Sequence, residues 1–159
     1  MNRNRWILLV FSLVVLALII GVVCFAVHLY RLSQKTPITG HRFTTILERH
    51  GLTVEEYPDP YGNGLVNQVF VGEAESYRIE LYICPTGEVA KRFFFDSSAS
   101  LKNEQGRYSE INLKEYNHFS LRVEERTVYL TRIQNTMVLT IAKKGYEEQA
   151  KVILDIIGY

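Results

Sequence analysis

One long apolar run near the start of the chain is followed by a longer region of mixed polarity. Between Trp6 and Tyr30, only three of the 25 residues are not apolar. The first 22 of them include 16 Leu, Ile, Val or Phe and no Asp, Glu, Lys or Arg. As a helix these 22 residues would rise about 33 Å, and the hydrocarbon core of a bilayer is about 30 Å thick. The pattern therefore predicts one transmembrane helix over residues 6–30, in contact with the lipid bilayer.

The flanking residues favour a single-pass anchor whose N-terminus is cytoplasmic. Arg3 and Arg5 form a short positive region before the run. A long domain after such a helix is translocated largely regardless of its charge. We therefore expect the C-terminal domain to be extracytoplasmic, at the cell membrane. The predicted organisation is a cytoplasmic tail (1–5), a transmembrane helix (6–30), a short linker (31–39) and a soluble domain (40–159).

A cleaved signal peptide is the main alternative for the apolar run. Cys24-Phe25-Ala26 matches a small-x-small cleavage site after a positive start. The apolar core of a signal peptide is about 7–15 residues, however, and this run is longer. Its length favours an uncleaved signal-anchor.

After residue 39 the pattern alternates between helical and extended periods. Phe43, Ile46 and Leu47 form a helical stripe, with Thr39 as the N-cap and Gly51 as the left-handed terminator. Two further helices are predicted, from the 85–87 turn to about residue 103 and over 146–157. Strands are predicted at 53–57, 66–71, 77–84, 108–113, 119–124, 127–133 and 136–142.

The clustering of these strands predicts an α+β fold. Two-residue turns at Glu125-Arg126 and Gln134-Asn135 require antiparallel neighbours. Strict alternation of strands and helices, which would indicate a parallel sheet, is absent from the pattern. The expected soluble domain is an antiparallel sheet with about three packing helices.

Charge and motifs argue against several classes of function. Residues 36–159 carry 14 basic and 17 acidic residues, so nucleic-acid binding has no electrostatic basis. Zinc-ligand spacings, phosphate-binding glycine motifs and nucleophile elbows are missing from the sequence. We expect no cofactor, no metal and no catalytic residue. For an enzyme with an unrecognised site, the remaining candidates are Cys84, His118 and Glu80.

The segment 57–64 is the candidate interaction surface. It places two tyrosines beside two prolines and two glycines, and aromatic residues on a stiffened loop can form a recognition surface. The alternative is that the rings fold back onto the edge of the domain. The candidate residues are Tyr57, Asp59, Tyr61 and Asn63.

The soluble part resembles small uncharacterised extracytoplasmic domains of Gram-positive bacteria, which follow one N-terminal helix or a lipoprotein signal. The residues that carry the resemblance are Phe43-x3-Leu47-x3-Gly51, Tyr77-x-Ile79-x-Leu81-Tyr82, Ala90 with Phe94, Tyr116-Asn117, Arg132-x2-Asn135-Thr136 and Gly158-Tyr159. This resemblance implies an anchored extracytoplasmic domain and assigns no site residue. This chain differs from the lipoprotein versions because its apolar run continues past Cys24.

The pattern and the resemblance together favour a non-catalytic binding or interaction module. Its partner would be another envelope protein or a ligand. Two alternatives remain open. The chain could be a structural subunit that assembles with a larger membrane complex through its helix, or an enzyme with an unrecognised site.

Overall fold

A computed structural model describes residues 3–60, 62 and 64–159, with side-chain surroundings from residue 10 onward. The chain separates into two compact units, one that ends at Gln34 and one from Lys35 to Tyr159. The first unit is a single helix, and the second contains the whole sheet. The division falls between Gln34 and Lys35, inside the predicted linker of residues 31–39.

Helix α1 runs over Arg3–Ser33. Within it, the segment Val10–Ser33 is long and apolar enough to cross a membrane, judged by length and composition. The most apolar 18-residue window of this segment contains no buried residue. Helix α1 ends at Ser33, three residues beyond the predicted end at Tyr30.

The second unit begins earlier than predicted, inside the expected linker. Ile38 is buried, and the ammonium of Lys35 donates to the main-chain oxygen of Tyr159 at 3.3 Å. Residues 31–39 are therefore not a free connector. The first three extend helix α1, and Lys35 to Thr39 belong to the folded domain.

Among its described residues, the domain has three helices and seven strands in the predicted order. The observed bounds differ from the predicted ones by at most three residues, and several coincide with them. The helices are α2 (Gly40–Arg49), α3 (Gly87–Lys102) and α4 (Glu147–Ile157). The strands are β1 (Thr53–Pro58), β2 (Gln68–Glu73), β3 (Tyr77–Ile83), β4 (Arg107–Asn112), β5 (Tyr116–Arg122), β6 (Arg126–Ile133) and β7 (Thr136–Lys143).

All seven strands form one antiparallel sheet in the order β1-β2-β3-β7-β6-β5-β4. Two meanders, β1 to β3 and β4 to β7, join where β3 pairs with β7 at the centre. The predicted α+β class with an antiparallel sheet is confirmed.

Helices α2 and α3 begin in the same way. Thr39 and Thr86 lie in extended backbone, and each side-chain hydroxyl accepts from the main-chain N–H three residues later. A glycine follows each threonine as the first helical residue. Helix α2 then ends at Gly51, which adopts a left-handed φ of 80° as the sequence predicts.

The helices cover the two faces of the sheet unequally. Helix α3 packs over β5, β6 and β7 on one face, around buried Phe94, Phe119 and Leu130. On the other face, α2 lies against β1, β2 and β3, and α4 contacts α2 and β7. On that second face, the part formed by β4, β5 and β6 is covered much less by the described helices, although α4 reaches it through Lys151. We call this part the open face.

Candidate functional site

The predicted interaction surface lies at the end of an edge strand. Tyr57 is exposed in β1, and its hydroxyl donates to the carboxylate of Glu55. Asp59 has a positive φ of 40°, and its N–H donates to the Asn67 carbonyl at 2.9 Å. Tyr61 and Asn63 lie outside the described residues. The binding role of this loop stays a prediction.

The residues considered for an unrecognised enzyme site do not come together. Cys84 is buried in the core beneath α3, and burial raises the pKa of its thiol to about 11. Glu80 forms an ion pair with Arg78 and accepts from the Tyr82 hydroxyl on the α3 side of the sheet. His118 lies on the other side, in the open face. Among the described residues, no group of three His, Cys, Asp or Glu could hold a metal ion.

The open face contains a cavity of about 450 Å³ that the sequence analysis did not predict. Alternate residues of β4, β5 and β6 point to one side of the sheet, so their polar members gather there. Strand register places Arg107 opposite Arg122, and Ser109 opposite Ser120, which in turn is opposite Tyr129. Besides these five, the cavity is lined by Tyr108, His118, Thr127 and Lys151.

Two arginines face each other across β4 and β5 without a carboxylate between them. Directly paired residues in antiparallel strands have Cβ atoms about 5 Å apart, and like charges at that separation are destabilising. Both arginines are exposed, and neither side chain forms a hydrogen bond or ion pair with a described residue. Their guanidinium donors are therefore available to a ligand.

Tyr129 supplies a buried hydroxyl with no partner. The residue is 6% exposed, and its hydroxyl oxygen makes no hydrogen bond within the described chain. Burial raises the pKa of Tyr129, while Lys151 and Arg122 oppose that rise. The hydroxyl stays protonated at neutral pH and can donate. Thr127, which also lines the cavity, has an unpartnered buried hydroxyl as well.

The third cation of the open face is Lys151, on helix α4. Its ammonium donates to the carboxylate of Glu148 at 2.7 Å, and this bond raises the pKa of Lys151. Glu147 is the other acidic group nearby, and its carboxylate accepts from the Gly145 N–H at 2.8 Å. Arg122 contributes to lowering the pKa of Glu147. Lys151 is therefore partly neutralised, and the two arginines carry the free positive charge.

His118 marks the inner side of the cavity. Its Nδ1 shares a hydrogen bond of 2.9 Å with the Thr131 hydroxyl. Burial, with a smaller effect of Lys35, lowers the pKa of the imidazole. At neutral pH the ring is uncharged, so it adds a hydrogen-bonding group and no charge.

Comparison with known proteins assigns no activity. No protein-family model matches the sequence, and no curated protein matches it. A solved structure, a GTP binding regulator from Thermotoga maritima, is 24% identical over 70% of this chain and 81% of its own, with a TM-score of 0.44. A similarity of that degree does not indicate what this chain binds.

The open face could not be found from the positions of single residues. Arg107, Ser109, Ser120 and Arg122 alternate with apolar residues, a pattern that is typical of any solvated strand face. The information that local sequence patterns lack is which residues far apart in the chain come together in the fold. Only the strand order and the placement of α4 show that these residues border a cavity beside a buried tyrosine.

Proposed function

We propose that this chain is a membrane-anchored, non-catalytic binding protein whose domain lies outside the cytoplasm and holds its ligand on the open face. The observation that carries the proposal is the polar cavity on the part of the sheet that the described helices cover least, bordered by Lys151 of α4. Its volume of about 450 Å³ falls in the range of small-ligand sites, which is about 300–1,000 Å³.

The anchor and the resemblance support the location. Within helix α1, the apolar run follows Arg3 and Arg5, and this short positive region favours a cytoplasmic N-terminus. The resemblance to extracytoplasmic domains of Gram-positive bacteria agrees with this orientation.

Cysteine labelling in intact cells tests the location and the binding face together. Ser109→Cys places a thiol in the open face, and Asp96→Cys places one on the exposed surface of α3 as a matched control. The reagent is a membrane-impermeant maleimide, and the unmodified chain corrects for Cys24 and Cys84.

We expect both introduced thiols to react in intact cells. The Ser109→Cys variant should react several-fold more slowly in cells than after purification, because the ligand covers it, whereas Asp96→Cys should not change. If Asp96→Cys reacts only after lysis, the domain is cytoplasmic. For each variant, the labelling rate in intact cells is divided by the labelling rate of the purified protein. If this ratio is the same for both variants, the open face is not a binding site.

A further inference from the structure

The open face has the electrostatic character of an anion site, although the domain around it is acidic. Residues 36–159 carry a net charge of −3. Within the cavity, Arg107, Arg122 and Lys151 are countered by Glu148, which bonds to Lys151, and more distantly by Glu147. The excess of positive charge is therefore local to this face.

The donors in the cavity match a tetrahedral oxyanion. An arginine presents N–H groups in a planar fork that fits phosphate or carboxylate oxygens. Arg107 and Arg122 supply two such forks from neighbouring strands, and the buried Tyr129 hydroxyl lacks the hydrogen-bond partner that buried polar groups normally have. The Ser109 and Ser120 hydroxyls, which are bonded to each other at 2.8 Å, lie in the same row of the register as Tyr129, beside the row that contains the two arginines.

We propose that the open face binds a small phosphorylated molecule, with the phosphate group held by Arg107, Arg122 and the Tyr129 hydroxyl. This inference rests on the proposed function and names the ligand class of the same site. A bound phosphate would offset the repulsion between the paired arginines and complete the hydrogen bonding of Tyr129. The cavity is larger than one phosphate group, so the rest of the molecule can lie against His118 and Thr127.

The charge count limits the size of the anion. Two free arginines and one partly neutralised lysine suit one phosphate group. A nucleic-acid strand needs many cationic contacts, and the acidic domain would repel the phosphates beyond the first. The ligand is therefore either a free phosphorylated metabolite or a single phospholipid headgroup, and both present the same chemistry to the site.

Titration calorimetry on the full chain in phosphatidylcholine nanodiscs tests the ligand class. The probes are glycerol 3-phosphate, inorganic phosphate, acetate and glycerol. We expect glycerol 3-phosphate and phosphate to bind, acetate to bind more weakly, and glycerol not to bind. Arg107→Gln and Arg122→Gln should each weaken binding by about tenfold or more, because each removes a charged hydrogen-bond donor to the phosphate oxygens.

Two further variants distinguish binding at the open face from attraction of the anion by charges elsewhere on the domain surface. Tyr129→Phe keeps every charge and removes one donor, so we expect several-fold weaker binding with an unchanged dependence on salt. Arg92→Gln removes an exposed arginine on α3, away from the open face, and should bind as the unmodified chain does. Thermal unfolding of each variant shows whether the fold is retained.

A second set of nanodiscs distinguishes the two sources of phosphate. If the natural ligand is a lipid headgroup, including phosphatidylglycerol in the disc should compete with glycerol 3-phosphate, and the competition should disappear in Arg122→Gln. If it is a free metabolite, the disc lipid should have no effect.

Two results would overturn the inference. One is that no phosphate-bearing probe binds in either type of disc. The other is that Arg92→Gln weakens binding as much as Arg122→Gln does. If Ser109→Cys is nevertheless protected in cells, the binding function stands and only the ligand class is wrong.

Discussion

At the scale of single residues, Arg132 illustrates how a buried charge can be held by neutral groups. The residue is 1% exposed and makes no ion pair in the described chain. Its guanidinium donates to the Asn117 side-chain oxygen at 2.6 Å, and to the main-chain oxygens of Gln134 and Lys114 at 2.7 Å each. These bonds connect the turn between β4 and β5 with the turn between β6 and β7.

We expect Arg132→Met to destabilise the domain by about 3 kcal/mol or more, because three acceptors lose their donor and each buried unpaired group costs about 1–3 kcal/mol. Arg132→Lys should not restore stability, since an ammonium cannot reach three acceptors in the geometry of a guanidinium. Denaturant unfolding of the full chain in detergent measures the free energy of unfolding of both Arg132 variants. Arg92→Met, at an exposed arginine, is the control and should change stability by less than about 0.5 kcal/mol. An equally small effect of Arg132→Met would contradict a structural role for this network.

Two buried acidic groups make stability depend on alkaline pH. Burial raises the pKa of Cys84 from 9.0 to about 11 and that of Tyr159 from 10.0 to about 12. Between pH 9 and 12 the unfolded chain therefore releases protons that the folded chain retains. We expect stability to be constant with respect to these groups below pH 9 and to fall as pH rises towards 12.

The Cys84→Ala variant isolates the first of these groups. Its stability will be lower at every pH because a buried side chain is shortened, but its decline between pH 9 and 11 should be shallower than that of the unmodified chain. Urea unfolding at a series of pH values gives the comparison. Parallel curves for the two proteins would show that Cys84 titrates alike in the folded and unfolded states.

At the scale of elements, the two threonine-capped helices differ in how closely their first turns approach a neighbour. A Cβ added to Gly40 would overlap the ring of Phe70, whereas one added to Gly87 would meet nothing closer than the Gln134 carbonyl oxygen at 3.6 Å. The close approach of Gly40 is part of how α2 packs on the sheet, where Phe43 and Phe70 also contact each other.

We therefore expect opposite effects from the same substitution at equivalent helix positions. Gly40→Ala should destabilise the domain by about 1–3 kcal/mol, since a well-packed contact must move. Gly87→Ala should be neutral or stabilising by up to about 1 kcal/mol, because the unfolded chain loses freedom and the folded chain loses nothing. Thermal unfolding of the two variants provides the measurement. Destabilisation of similar size at both positions would contradict the packing of α2 described above.

The elements were more predictable than the site because they depend on local signals. Thr39 and Gly51 mark the ends of α2 through capping geometry, and strand alternation marks the sheet. The start of the domain was less predictable, since the packing of Ile38 and the bond from Lys35 to Tyr159 join residues far apart in the sequence. The open face depends on the pairing of β4 with β5 and of β5 with β6, which no local pattern specifies.

At the scale of the whole molecule, an apolar helix precedes a domain with one incompletely covered sheet. No residue in the most apolar window of the first unit is buried, whereas the second unit has a hydrophobic core beneath α3. An apolar helix of this length is stable in a bilayer and would aggregate in water. Retention of the helix in the mature protein and the side of the membrane that the domain occupies are therefore the central claims.

Protease treatment of intact spheroplasts that express the full chain with an epitope tag after Tyr159 tests these claims most directly. We predict that the tag is digested without lysis, and that untreated protein stays in the membrane fraction after alkaline carbonate at the mass of the uncleaved chain. A tag that survives until the cells are lysed, or a mature protein that lacks residues 1–30, would contradict the account.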